Sequence, residues 1–149
     1  MQARIVYASM TGNTEQCMDI VEEALESLGV DVIVEESSFA DPFDFEEDDI
    51  CIVGTYTWGP DGNLPDEIID FYEELEEVDL DGKVFGVFGS GDTFYEGKFC
   101  QSAVDFDNQF EKTEAARGAE CVKVELDPEE DDISQLEQFA QALYEAARS

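Results

Sequence analysis

Five apolar runs, all but the second followed by a stretch with helical spacing, constrain this chain more than any other feature. Ile5-Val6-Tyr7-Ala8 is the first, Asp31 to Glu35 alternates as the second, and Ile50-Cys51-Ile52-Val53-Gly54 is the third. Lys83 to Gly89 and Glu120 to Leu126 are the fourth and fifth. Continuous apolar runs of this length suit strands buried on both faces. Asn13 to Leu28 places Cys17, Ile20, Val21, Ala24, Leu25 and Leu28 on one helical stripe, with Gly29 as its stop. Further helices are expected from Pro65 to Glu77, from Cys100 to Arg117 with Gly118 as stop, and from Ile133 to Ala147. The last carries Ile133, Leu136, Phe139, Ala140 and Leu143 on one face, whereas Phe39 to Asp49 reads as a polar connection with apolar anchors. Strand–helix alternation of this kind predicts an α/β fold: a parallel sheet covered by helices through right-handed crossovers. With 149 residues, 43% of them hydrophobic, the chain supports one core and is read as one domain, residues 1–149.

Charge narrows the partners. Seven Lys and Arg stand against 39 Asp and Glu, a net −32, and there is no His. Ser-His-Asp and Cys-His catalysis and His-ligated metal are therefore excluded. Nucleic acid needs a basic footprint, so no nucleic-acid partner is expected. A basic or cationic partner is what the balance invites, and self-repulsion favours a monomer. No stretch reaches the ~18 consecutive apolar residues of a membrane span, and Met1-Gln2-Ala3-Arg4 lacks a signal peptide's layout, so a cytoplasmic location away from membranes is expected. Cys17, Cys51, Cys100 and Cys121 have no CxxC spacing. They are expected to be free, mostly buried thiols, with no metal site.

In an open parallel sheet, ligands collect at the carboxyl ends of the strands, near a topological switch point. Three loops there are unusual. Ser9-Met10-Thr11-Gly12-Asn13-Thr14 surrounds a glycine with hydroxyl and amide groups just before a helix. Helix N-terminal N–H groups make such a loop an anion site without Lys or Arg, although Thr11 or Asn13 could serve simply as a helix cap. It lacks the Gly-Lys-Ser/Thr ending of a Walker A loop. Thr55-Tyr56-Thr57-Trp58-Gly59 holds the only Trp, which could instead merely cover the end of the sheet. Gly89-Ser90-Gly91-Asp92-Thr93-Phe94-Tyr95 offers glycine backbone to a flat polar ring edge, with Tyr95 as a stacking face; taken alone it is an ordinary tight turn. Together the loops describe a ligand with a phosphate at one end and a large planar ring at the other.

In these three motifs, at these strand ends and in this order, the chain resembles the short-chain flavodoxins of low-GC Gram-positive bacteria. The resemblance spans nearly the whole sequence. It implies a flavodoxin-like three-layer α/β/α fold with a five-stranded parallel sheet in the order 2-1-3-4-5 and an uninterrupted fifth strand. It also implies non-covalent FMN as cofactor and single-electron transfer, in place of ferredoxin, between a reductase donor and a ferredoxin-dependent acceptor. The alternative it leaves open is a flavodoxin-like activator or reductase flavoprotein. By the same resemblance, Ser9, Met10, Thr11, Gly12, Asn13 and Thr14 hold the phosphate, and Thr55, Tyr56 and Thr57 border the phosphate and ribityl chain. Trp58, with Gly59 after it, and Tyr95 flank the ring, while Ser90, Gly91 and Asp92 bond its pyrimidine edge. Two segments depart from the family pattern. Trp58 to Pro65 is one residue longer and carries Pro60 in its turn, and Tyr95 to Cys100 is lengthened by one, which makes Phe94 an alternative stacking face.

Overall fold

The computed structural model describes residues 1–8, 12–56, 65–91, 100–125 and 128–148. At its centre β1 (Gln2–Tyr7) lies between β2 (Asp31–Glu36) and β3 (Ile50–Tyr56), and β4 (Val84–Gly91) pairs with β3 on the far side. All of these pairings are parallel; Val6 stands opposite Val53, and Gly54 opposite Phe88. The fifth position is filled in tandem by β5 (Ala116–Arg117), which pairs with Val84 and Phe85, and β6 (Val122–Glu125), which pairs with Phe88 to Gly91. The sheet order is therefore 2-1-3-4-5, as the sequence implied, but the fifth strand is split rather than continuous.

Helices α1 (Asn13–Ser27) and α4 (Glu130–Arg148) cover one face of the sheet, and α2 (Ile69–Leu75) and α3 (Gln101–Glu111) cover the other. The first layer packs Val21, Leu25, Phe139 and Leu143 on Ala3, Ile5, Ile52 and Phe88. The second packs Phe71, Leu75, Phe106 and Phe110 on Val6, Cys51, Val53 and Phe85, with the Phe85 and Phe110 rings stacked at 4.8 Å. Alternate residues of β1 and β3 thus feed opposite layers, which is why these strands read as unbroken apolar runs. The expected stripe of α1 faces the core, and Gly29 closes that helix: Val30 donates its N–H to the Leu25 carbonyl.

Several boundaries differ from the sequence expectation. The first strand starts at Gln2, because Met1, Gln2 and Ala3 find backbone partners in β2 and in the turn before β3. The connection from 37 to 47 forms two short 3₁₀ segments, Ser37–Phe39 and Pro42–Glu47. The helix after Pro65 begins as a 3₁₀ turn over Asp66–Ile68 and is α-helical only to Leu75. The helix expected to reach Arg117 ends at Glu111, and Glu114 takes the left-handed conformation (φ 72) in the turn that follows. Gly118 is not its stop; it lies between β5 and β6 and donates its N–H to the Phe85 carbonyl. Helix α4 starts at Glu130, and Ile133 is exposed rather than buried.

One ion cluster sits inside the amino-terminal rim. Arg4 donates Nε to Asp48 at 2.7 Å and Nη1 to Glu35 at 2.5 Å, and Gln2 also donates its side-chain amide to Asp48. The Asp48 side chain is fully buried, so its charge depends on these partners. All four cysteines are free, with Cys17, Cys51 and Cys100 buried and Cys121 half-buried. Among the described residues, no helix is long and apolar enough to cross a membrane.

Candidate functional site

The chain leaves β1 for β2 on one side and returns to β3 on the other, so the switch point lies between β1 and β3. At their carboxyl ends Ala8 donates its N–H to the Gly54 carbonyl at 2.9 Å. Thr55 stands opposite Gly89, and Tyr56 opposite Ser90. The described ends of the three loops singled out by the sequence therefore leave one rim side by side.

Helix α1 begins at this rim. Gly12 precedes it in the left-handed conformation (φ 91); among the described residues no atom lies within 4 Å of where its Cβ would stand, and no side chain caps the helix. The first intrahelical bond runs from Gln16 N–H to the Gly12 carbonyl. The N–H groups of a first turn have no acceptor within their own helix and carry the positive end of its dipole. Asn13 does not act as a cap. Thr14 points inward instead, its Oγ1 2.7 Å from Ser90 Oγ, and both side chains are buried.

Close packing holds the β3 and β4 ends. A Cβ on Gly89 would stand 2.7 Å from the Ala103 Cβ and 3.1 Å from the Thr55 carbonyl oxygen, so only glycine lets α3 and β3 approach this closely. Cys100 donates its thiol to the Gly89 carbonyl from the start of α3. Thr55 is buried and donates its hydroxyl to the Tyr56 carbonyl at 3.2 Å. Burial and the Glu67 carboxylate push the Tyr56 phenol up to about 12. Glu67 also accepts, through its carbonyl, a bond from Ser37 Oγ at 3.2 Å. The sequence reading missed Glu67, which no local pattern marks.

A cavity of about 120 Å³ on the β2 side of the rim is lined by Tyr7, Ala8, Glu15, Glu36, Ser37, Ser38 and Glu67. Its three carboxylates, from Glu15, Glu36 and Glu67, make it wrong for a phosphate. A shallower hollow of about 290 Å³, lined by Ala119, Cys121, Val122, Gln138 and Phe139 among others, lies at the β6 edge, away from the convergent strand ends.

Of the expected site residues, Gly12, Asn13, Thr14, Thr55, Tyr56, Ser90 and Gly91 thus come together at one rim. Ser9, Met10, Thr11, Thr57, Trp58, Gly59, Asp92 and Tyr95 lie outside the described residues, as do Pro60 and Phe94. The described part fits a phosphate-tailed planar group. The first turn of α1 follows Gly12, hydroxyls and strand-end backbone stand beside it, and an anion at a helix start needs no cation.

Comparison with known proteins agrees with this geometry. The Flavodoxin family model matches residues 5–141. Probable flavodoxin 1 of Bacillus subtilis (strain 168) is 39% identical over 143 residues, which cover 95% of this chain and 89% of that protein. The solved flavodoxin of Streptococcus pneumoniae TIGR4 superposes with a TM-score of 0.95 at 55% identity, covering 98% of this chain and 99% of that one. A short-chain flavodoxin associated with a non-canonical PDU bacterial microcompartment gives a TM-score of 0.96 at 45% identity, with 99% of both chains covered. The chain belongs to the flavodoxin family, FMN-binding proteins that carry electrons rather than make or break bonds in a substrate.

Proposed function

We propose that this rim holds FMN with its phosphate at the start of α1, and that the chain carries single electrons at low potential between a reductase donor and a ferredoxin-dependent acceptor. The observation that supports the placement is the first turn of α1 meeting the strand end that bears Ser90, through the Thr14–Ser90 contact at 2.7 Å. Ser9, Thr11, Asn13 and Thr14, with the N–H groups between them, bind the phosphate. Thr55 to Thr57 border the ribityl chain, Trp58 and Tyr95 exclude water from the two ring faces, and Ser90 to Asp92 bond the ring's polar edge. FMN, when bound, supplies the redox chemistry.

The protein's charge sets the direction of tuning. A carboxylate ~10 Å from the site opposes added negative charge by on the order of 0.4 kcal/mol before screening. Several together reach ~1.4 kcal/mol, roughly 59 mV on a one-electron couple. With 39 acidic residues against seven basic ones, the field favours giving electrons away. The same charge keeps the protein monomeric, and four unpaired cysteines suit the reducing cytoplasm.

Calorimetric titration of the apoprotein tests the placement. FMN is expected to bind at least about tenfold more tightly than riboflavin, because only FMN carries the anion that the helix start receives. Equal affinities would remove the phosphate from α1. Stepwise reduction followed by absorbance tests the carrier role; a protein that takes up electrons only in pairs would not be a single-electron carrier.

A further inference from the structure

Charge is unevenly divided along this chain. Residues 5–82 contain 24 Asp and Glu and no Lys or Arg, whereas residues 83–149 contain 15 acidic residues and six basic ones. The cation-free part builds α1, β2, β3, α2 and all of β1 beyond Arg4, a buried cation already paired with Glu35 and Asp48, and so forms most of the β2 side of the molecule. On that side one aromatic ring projects into solvent. Phe39, at the end of the 3₁₀ turn that follows β2, is 81% exposed, and Phe43, four residues on, is 43% exposed. Phe45, by contrast, is fully buried with its ring 5.8 Å from that of Phe71, so the same segment anchors itself with one phenylalanine and displays another.

The turn that carries Phe39 is held in place. Ser37 is buried and donates Oγ to the Glu67 carbonyl, and Ala40 donates its N–H back to the Ser37 carbonyl. These contacts fix Phe39 beside the carboxyl rim, because Ser37 and Ser38 line the same cavity as Tyr7, Ala8 and Glu67. Glu36, Asp41 and Glu67, all exposed, stand around the turn in sequence or by contact. An exposed aromatic side chain on a tethered turn, ringed by one sign of charge, has the composition of an interface anchor: the ring supplies area to bury, and the charges supply orientation and on-rate.

We infer that Phe39 is the apolar anchor of a docking surface for the electron-donating reductase, whose matching face carries Lys and Arg around an apolar socket. The partner's charge follows from the 24 carboxylates of residues 5–82, against which this side sets only Arg4, buried and paired with Glu35 and Asp48. Its identity as a redox protein rests on the FMN reading above, since docking here places it over the rim assigned to the cofactor.

The test uses the FMN-loaded full chain as substrate for a purified NADPH-dependent flavodoxin reductase with a basic face. Phe39→Ser is expected to raise KM about tenfold with kcat within about twofold, while Phe39→Leu stays near wild type. Ile133→Ser, which removes an exposed apolar side chain on α4, is expected to leave KM unchanged. A KM for Phe39→Ser within about twofold of wild type, in protein that still binds and reduces FMN, overturns the docking surface alone. Equal increases for Phe39→Ser and Ile133→Ser overturn it as well. Failure of the wild-type chain to bind FMN overturns the cofactor reading instead. A salt-induced dimer that Phe39→Ser abolishes, with KM unchanged, gives the ring to a second copy of this chain and overturns the reductase assignment.

Discussion

Thr14 and Ser90 stand 76 residues apart in sequence, yet their hydroxyl oxygens meet at 2.7 Å in the buried interior of the rim. One belongs to the first turn of α1 and the other to the end of β4, so this bond ties the segment assigned to the phosphate to the segment assigned to the ring edge. Thr14→Val is expected to leave Ser90 Oγ without this partner and to cost about 1–3 kcal/mol of stability. Thr14→Val with Ser90→Ala is expected to cost less than the two single changes added together. Urea unfolding of all four forms measures that coupling, and strict additivity would show that the two hydroxyls do not act as a pair.

The Arg4 cluster makes a second prediction. Asp48→Ala removes the fully buried carboxylate and leaves Arg4 only the more exposed Glu35. Loss of one partner from a buried ion pair costs about 3–5 kcal/mol, so the variant is expected to unfold at much lower urea. A companion variant in which Arg4→Met and Asp48→Leu replace both charges is expected to recover most of that loss.

Alkaline pH destabilises the protein through its thiols. Burial pushes Cys17, Cys100 and Cys121 up to about 12, and pushes Cys51 up as well, from an ordinary value of 9.0. Above that ordinary value the unfolded chain has released protons that the folded chain still holds. Stability is therefore fully present below pH 9.0 and falls as pH rises toward about 12. Chemical denaturation across that window checks the slope. A thiol reagent at neutral pH is expected to reach half-buried Cys121 first, and fast modification of Cys51 in folded protein would contradict the packing.

Salt is expected to stabilise. Glu22 on α1 has its carboxyl raised by burial and then by Glu26, Asp19 and Glu23. A raised carboxyl means that its charged form is disfavoured in the folded state, so stability grows as pH falls from neutral toward the ordinary value of 4.5. Screening acts in the same direction. The melting temperature should climb as NaCl rises from about 0.05 M to about 1 M, and a flat response would mean that the −32 charge costs the fold nothing.

The parts of the fold that were legible in sequence are those where one force dominates. The stripe of α1 and the stop at Gly29 were plain because burial and a left-handed turn agree there. The stretch from Lys112 to Arg117 was not. Its Ala and Arg residues have helical propensity, but parallel pairing of Ala116 and Arg117 with Val84 and Phe85 prevails, and the left-handed turn falls on Glu114, where no Gly marks it. The rim was legible because hydroxyls and glycines at strand ends stand out against apolar runs. The Thr14–Ser90 bond, the role of Glu67 and the display of Phe39 are products of tertiary placement, and no local pattern announces them.

The division of the outer strand at Gly118 to Cys121 bears on behaviour at high concentration. The open margin of a sheet invites another molecule to zip on, amide by amide, and a long straight margin invites stacking without end. Here that margin is broken into pieces of two and four residues. On this flank a neighbouring molecule finds only short runs to extend, which leaves six-residue β2, with Asp31, Glu35 and Glu36 along it, as the longer open flank of the sheet.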